Sequence, residues 1–413
     1  MVENSLLNAS YSLAPSHLYC FNSGNEQALL HMEKASFTHS KLVRQMRCDL
    51  SMLLAWVAES PEEDWVWMPR GTARAIPQNK GLLPPCRCLF EEDVLYQSIS
   101  TPLHLTLWAP EPTLVRSFER ITPLFPNGLL LPKEQTFPSF LFDRSQASFL
   151  LASMGDDFHS LLPFSCSSRD DLDRALLHFK ASSQLVVKLP FSSSGRGVHL
   201  FHLPLAGKQE EQLYSLLNTH RQITLEPFLN KCGDYAAEYI VEADRSVRFV
   251  GLSHFETKDF RYLYNHVQHP DALWARLAHR VGEKSLEQAI VAHKAFIVNH
   301  IAPYYQGVVG IDMLAYRKEG SEREFLHPAV EINVRCTMGF LAHLLYERYG
   351  VPNRSYKMFI KSYSQAGMAL REYSEAQNRN LMKANEKGAL IEGTMFLSTP
   401  SENSRFFAYL ETV

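Results

Sequence analysis

One seven-residue stretch constrains this chain most: Ala329-Val-Glu-Ile-Asn-Val-Arg335. Apolar and polar residues alternate, and successive side chains of a strand point to opposite faces. Val330, Ile332 and Val334 are expected to enter an apolar layer. Glu331, Asn333 and Arg335 are expected to project together from the other face. Glutamate and asparagine offer hard oxygens of the kind Mg²⁺ takes beside phosphate oxygens. Arginine offers a planar fork for a phosphate or carboxylate. Taken alone, the same pattern also describes an amphipathic strand with a solvated polar face.

Length and composition bound the rest. At 413 residues the chain has material for two to three domains and a sizeable core. With 46% hydrophobic and 21% charged residues, it has the make-up of a soluble globular enzyme. A formal net charge of -3 supplies no global field to draw nucleic acid or a membrane, and neither partner is expected. The seven cysteines are odd in number and scattered, and the close pair Cys86 and Cys88 lacks the second pair that zinc would need. Reduced thiols in a cytoplasm are the simplest expectation. The start, Met1-Val-Glu-Asn-Ser5, lacks the basic and apolar segments of a signal peptide. No apolar run approaches the ~20 residues that cross a bilayer.

In order along the chain, His17–Phe21 reads as a first strand running into the turn Asn22-Ser-Gly-Asn25. Such a turn is either a ligand edge or a plain strand-to-helix connection. Asp49–Val57 reads as a compact helix, Trp65–Met68 and Leu103–Trp108 as strands, and 111–120 as a helix. Strands alternating with helices predict an open α/β layer over residues 1–125. Prolines 123, 126, 132 and 138 then mark a linker over 126–139. Ser168-Arg-Asp-Asp171 matches a capping box with Asp in the third helical position.

Leu185-Val-Val-Lys188 is a strand followed by a Ser/Gly loop and a second strand from Val198. That is a hairpin, so a Walker P-loop, which opens a helix, is excluded. A Ser/Gly hairpin tip can fold its backbone N–H groups over phosphates, with Lys188 as a point charge. It can equally be a surface hairpin with a solvated lysine. Ile223–Leu229 is a strand broken at Pro227. Residues 254–270 lack clean periodicity and read as a long polar and aromatic loop, whose histidine spacing defines no metal geometry. Ser285–Ile301 is the clearest amphipathic helix, and Gly307–Tyr316 is a buried strand carrying one acid, Asp312. A basic and polar helical region near 354–380 and strands at 389–397 and 406–410 complete the chain.

Phe142-Asp-Arg144, Val187-Lys188, Ser192-Ser-Ser-Gly-Arg-Gly197, Leu225-Glu-Pro-Phe-Leu229, Gly310-Ile-Asp312 and Val330–Arg335 follow one another in an order that resembles the ATP-grasp fold of carboxylate–amine ligases. The resemblance covers about half of the chain, from roughly 140 to 349, and residues 1–125 look like the α/β domain that commonly precedes it. It implies a mixed α/β and α+β architecture. The N-terminal open α/β domain would be followed by a small lobe at 140–230 with a Ser/Gly-rich flap, then by a large, mostly antiparallel lobe at 231–413.

The roles that the resemblance implies are these. Arg144, Lys188 and the flap residues Ser192, Ser193, Ser194, Gly195, Arg196 and Gly197 would meet the phosphates of ATP. Glu226, Pro227, Phe228 and Leu229 would form the adenine hinge, and Asp234 would take the ribose. Asp312, Glu331 and Asn333 would hold Mg²⁺, or Mn²⁺ in its place, and Arg335 with Lys188 would offset charge on the transferring phosphoryl group. Where the family often has Asp-Lys, this chain has Asp143-Arg144. The implied reaction activates a small-molecule carboxylate as an acyl phosphate and joins it to an amine or similar nucleophile, releasing ADP and phosphate. A small-molecule kinase or a non-catalytic nucleotide binder would use the same nucleotide residues, and a homodimer is one assembly left open. By charge and position, His254, Lys258 and Arg261 are candidates to hold an anionic substrate.

Overall fold

Short apolar strands bounded by turns build the first part of the chain. The computed structural model describes residues 16–132, 138–180, 182–190, 197–379 and 381–413. Strands β1 (Ser16–Cys20), β2 (Trp65–Met68), β3 (Arg87–Phe90), β4 (Leu103–Leu107) and β5 (Leu129–Leu130) form a parallel sheet in the order β3-β2-β1-β4-β5. The sheet extends past residue 125 into the expected linker. Helices α1 (Glu26–Leu29), α2 (Lys41–Leu50) and α3 (Pro112–Glu119) accompany it. The helix expected over 49–57 is corrected: α2 ends at Leu50, and Ser51–Trp56 is a 3₁₀ turn with all six residues buried. Burial on every side removes the amphipathic stripe that would fix an α-helical period.

The second part opens with α4 (Ser145–Ser153). Strands β6 (Phe164–Cys166), β7 (Gln184–Lys188), β8 (Val198–His202) and β9 (Ile223–Pro227) form a four-stranded antiparallel sheet ordered β6-β9-β7-β8. Helices α5 (Arg169–His178) and α6 (Lys208–His220) pack on it around Leu172, Leu185, Phe201 and Leu225. The α5 capping box is present, with Ser168 Oγ accepting from the Asp171 N–H at 3.1 Å.

The large lobe is one antiparallel sheet ordered β14-β13-β10-β11-β12-β15-β19-β18. Its members are β10 (Asn230–Val241), β11 (Val247–Lys258), β12 (Arg261–Val267), β13 (Gly307–Arg317), β14 (Glu324–Asn333), β15 (Tyr356–Ser362), β18 (Thr394–Phe396) and β19 (Phe406–Thr412). A small pair, β16 (Lys383–Ala384) and β17 (Leu390–Glu392), lies outside it. Helices α7 (Pro270–Val281) and α8 (Glu283–Phe296) cover one face, packing Leu273, Leu277 and Leu286 with Tyr235, Ala237 and Leu252. Helix α9 (Met338–Tyr349) packs on the other, and α10 (Met368–Arg379) follows β15.

Two expectations are corrected here. Residues 254–270 are not a loop; they are most of the β11–β12 hairpin and the start of α7. A buried His254 and a half-buried His266 at inward positions hid the strand alternation. The stretch near 354–380 begins with a strand, because Tyr356 and Met358 are buried two apart and pair with β12 and β19. Among the described residues no helix is long and apolar enough to cross a membrane. All seven cysteines are free.

The first and last parts of the chain share a core. Leu53, Trp56, Val66 and Trp108 pack with Leu341, Met358, Leu397 and Leu410. Trp56 Nε1 donates to the Leu397 carbonyl at 2.9 Å, and its own carbonyl accepts from Arg348 and Tyr349. The Asp49 carboxylate accepts from Ser404 Oγ and the Arg405 and Phe406 N–H groups at 2.7, 2.8 and 3.0 Å.

The turn after β1 is occupied by the protein's own polar groups. Asn22 Nδ2 donates to the Ala109 carbonyl and to Glu111 Oε2, both at 2.9 Å. Glu111 also meets Arg47 Nη2 at 2.7 Å and His39 Nε2 at 2.8 Å. Burial raises the Glu111 carboxyl, but the His39 bond and the Arg47 charge together outweigh it, so its pKa lies below the ordinary value. We expect Glu111→Ala to lose about 3–5 kcal/mol in urea unfolding, because Arg47 is left buried without its carboxylate. A depressed carboxylate stabilises above its unfolded pKa. The wild-type contribution is therefore present at neutral pH and lost as pH falls below about 4.5 toward the folded pKa.

Candidate nucleotide and metal site

Strand pairing sets the geometry of the site. Asp312 on β13 lies directly opposite Glu331 on β14, and Gly310 lies opposite Asn333. Asp312 is also paired with Ala236 on β10, so Glu238, two residues on, shares its face. Glu238, Asp312, Glu331 and Asn333 therefore occupy the sheet face opposite α7 and α8. Arg335 lies just beyond the end of β14, not on it as expected. Its Nη2 donates to Asn333 Oδ1 at 3.0 Å, its Nη1 donates to the Cys336 carbonyl at 3.2 Å, and its Nε stands 3.8 Å from Glu26 Oε1. Arg144, in the last position before α4, reaches Glu331 Oε1 at 3.3 Å. The arginine that replaces the expected lysine thus sits against the candidate metal strand.

Burial first, then Glu331 and Glu238, push the Asp312 carboxyl well above its usual range, and Arg335 pulls it back. Glu238, only 1% exposed, is pushed up to about 7 by burial, against hydrogen bonds from Thr337 and Ser253 and the Arg335 charge. Thr337 Oγ1 and Ser253 Oγ donate to it at 2.8 and 3.3 Å. Glycine surrounds this carboxylate: a Cβ on Gly339 would stand 2.1 Å from Glu238 Oε1, and one on Gly310 3.0 Å from Oε2. The donor set fits a hard divalent cation, because added positive charge would relieve the repulsion that raises Asp312. Asn333 Oδ1 would have to turn from Arg335 to join it.

Across from this face stands the small lobe. Lys188, at the end of β7, is 8% exposed. Its Nζ pairs with Glu226 Oε2 at 2.6 Å and lies 3.5 Å from the Val330 carbonyl of β14. Leu189 N–H donates to the Gly197 carbonyl at 2.9 Å, which closes the base of the β7–β8 hairpin. Residues Ser192, Ser193, Ser194, Gly195 and Arg196 lie outside the described residues. Pro227 ends β9, and Phe228 is exposed in the hinge before β10. Asp234 is engaged with Lys231 Nζ at 2.6 Å and Thr257 Oγ1 at 2.7 Å, a cation and a hydroxyl that sequence reading did not single out.

The three substrate candidates are not brought to this place. His254 pairs with Tyr235 and stacks on its ring at 4.6 Å, on the face toward α7. Burial first, then His266, pushes its pKa down to about 3. Lys258 and Arg261 are exposed at the tip of the β11–β12 hairpin. A cavity of about 1320 Å³ lies between the parallel sheet and the large lobe, lined by His104, Trp108, Arg248, Cys336, Phe340 and His343 among others. A smaller one lies between Asn25, Glu26, Arg144, Glu331, Asn333 and Arg335. Neither is lined by His254, Lys258 or Arg261. The residue that sequence reading missed is Glu238. Its signal is a lone acid in the apolar run Tyr235-Ala-Ala-Glu-Tyr-Ile-Val241, at the same strand parity as Asp234.

No protein-family model and no curated protein matches the chain. Solved structures do. The biotin carboxylase–beta-gamma-ATP complex from Campylobacter jejuni superposes with a TM-score of 0.51 at 10% identity, over 96% of this chain and 87% of that one. N5-carboxyaminoimidazole synthetase from Staphylococcus aureus, complexed with ADP, gives 0.44 at 15% identity over 75% and 76%. L-amino acid ligase from Bacillus licheniformis gives 0.44 at 13% over 89% and 92%. At these identities the likeness is one of fold.

Glu238 supplies a stability test. A carboxyl raised from 4.5 to about 7 holds a proton in the folded state that the unfolded chain has released, so stability falls as pH rises across that window. Glu238→Gln removes this dependence. Urea unfolding at pH 5 and pH 8 is expected to show the variant gaining on wild type by roughly 2–3 kcal/mol between the two.

Proposed function

We propose that this chain, whose fold is that of the ATP-grasp superfamily, is an ATP-dependent ligase. It activates a substrate carboxylate as an acyl phosphate and joins the acyl group to an amine. The observation that supports this most is the grouping of Asp312, Glu331 and Asn333 on one sheet face beside Arg335, with Lys188 reaching the same strand. A site that only binds a nucleotide has less need of two carboxylates and an amide on one sheet face at the transfer end.

Asp312, Glu331 and Asn333 would hold Mg²⁺, which supplies charge neutralisation to the phosphate oxygens when bound. Lys188, released from Glu226, presents its ammonium to the phosphates, while Glu226 and the hinge to Leu229 take the base. Arg335 turns its guanidinium from Asn333 to the phosphoryl group in transit. A carboxylate oxygen of the substrate attacks the γ-phosphorus, the bond to the ADP oxygen breaks, and an acyl phosphate forms. The amine nitrogen then attacks the acyl carbon, phosphate departs, and the nitrogen loses a proton. Such transfer depends on positioning and preorganised charge rather than on a protein nucleophile. The cavity of about 1320 Å³ beside Cys336 is the place with room for the carboxylate and amine substrates.

The test is a screen of carboxylate and amine pairs for ADP release, repeated with hydroxylamine as the trapping amine. We expect a hydroxamate to accumulate with the true carboxylate; ADP release without hydroxamate would point to a kinase instead. With that substrate, Glu331→Gln is expected to lower turnover by about 10²–10³, with circular dichroism unchanged.

A further inference from the structure

We propose a second cation site, on the opposite face of the large sheet, formed by His254, Glu256 and His266 and suited to a transition metal of the zinc class. The β11–β12 pairing builds it. His254 lies directly opposite His266, and Glu256 follows His254 by two residues on the same strand. The two imidazoles stack with centroids 4.1 Å apart and planes 7° from parallel. Glu256 Oε1 stands 3.3 Å from His266 Nε2 and 3.7 Å from His254 Nε2. One ligand atom from each residue lies within 4.8 Å of the others.

Ligand atoms around a tetrahedral ion at ~2.1 Å stand ~3.4 Å apart. The His266–Glu256 pair is already at that separation; the stacked rings hold their in-plane lone pairs parallel, so His266, the more exposed ring, has to turn out of the stack to share an ion with His254. Two further observations point to a ligand. His254 is 7% exposed, yet its Nδ1 has no hydrogen-bond partner and its Nε2 is beyond hydrogen-bond reach of Glu256. Its ring plane is held from the other side by the stacked Tyr235, and Tyr264 meets His266 edge-on. Imidazole nitrogens select zinc, cobalt, nickel or copper over Mg²⁺ or Ca²⁺, which take oxygen sets. Glu256 is 39% exposed at its side chain, so a water can complete the shell.

The chain pairing explains why no metal geometry was legible along the sequence: two of the ligands meet across strands. Nearby positive charge sets the expected strength. Lys357 is paired opposite His266 on β15, and Arg276 on α7 donates to Gln268. One carboxylate offsets only half of a divalent charge, so binding is expected to be micromolar rather than structural-zinc tight. An ion here would tie β11 to β12 from the face away from Asp312 and Glu331.

The experiment uses the whole chain stripped with chelator, titrated with Zn²⁺ by calorimetry and with Co²⁺ by visible absorption, in saturating Mg²⁺. Wild type and Asp312→Asn are expected to bind one equivalent of Zn²⁺ each. His266→Asn and Glu256→Gln are expected to bind it at least tenfold more weakly. The Co²⁺ form should give the visible bands of a nitrogen–oxygen tetrahedral shell without a thiolate charge-transfer band. Zinc bound equally by His266→Asn and Glu256→Gln, zinc lost with Asp312→Asn, or a thiolate band would each overturn the site. Should His266→Asn fail to fold, Glu256→Gln, at a more exposed position, decides the question alone. Because Mg²⁺ occupancy and ADP release are read separately, failure here leaves the ligase reading standing, and the reverse.

Discussion

The carboxyl of Asp312, opposed by burial and by the neighbouring Glu331 and Glu238, is the constraint around which this face of the large lobe is arranged. Glu238, Asp312 and Glu331 share one face of three adjacent strands; burial raises Glu238 and Asp312, and the charges of Glu331 and Glu238 raise Asp312 further. The surroundings answer with cations and hydroxyls. Arg335 and Arg144 approach from outside the sheet, and Thr337, capping α9, and Ser253 on β11 donate to Glu238. Glycines at 310 and 339 leave the space that these oxygens fill. A fold organised for stability alone would replace such a cluster with apolar residues of similar volume. Retaining it is a cost consistent with a charged ligand.

The small lobe and the first domain are both tied to this strand region. Lys188 links β7 to the Val330 carbonyl while paired with Glu226 on β9, so one ammonium touches two sheets. Breaking a pair this buried leaves an uncompensated charge, which is expensive. The lysine is therefore held in place until something of matching charge displaces Glu226. On the other side, Trp56, Asp49 and Trp108 bind the parallel sheet to α9 and the C-terminal strands through one core. The large cavity between them is lined from separate stretches of the chain, Tyr19, Trp108, Arg248 and Phe340 among them.

Much of this was legible where local pattern and tertiary environment agree. Trp65–Met68 reads as a strand and is one, because four apolar residues bounded by turns have few alternatives. Ser168 and Asp171 read as a capping box because the bonds are local. Pattern failed where buried polar residues broke it. His254 and His266 look like loop residues along the chain and are inward-facing strand residues in space. Ser51–Trp56 looks like an α-helix, yet burial on all sides leaves no stripe to set its period. The turn at Asn22–Asn25, read as either a ligand edge or a plain strand-to-helix connection, has its asparagine side chains bonded to Glu111 and the backbone.

The sequence by itself determined which residues of a recognised strand share a face, because alternation of period two is a local property of the pleat. Glu331 and Asn333 are on one face of β14 whatever the rest of the chain does. It also determined that Lys188 ends a hairpin strand and does not open a helix. Only the tertiary structure decided what meets across strands. Register placed Asp312 opposite Glu331, added Glu238 to their face, and set His254 against His266 on the other. Register depends on which apolar faces are buried together over long separations, so spacing along one chain segment does not encode it.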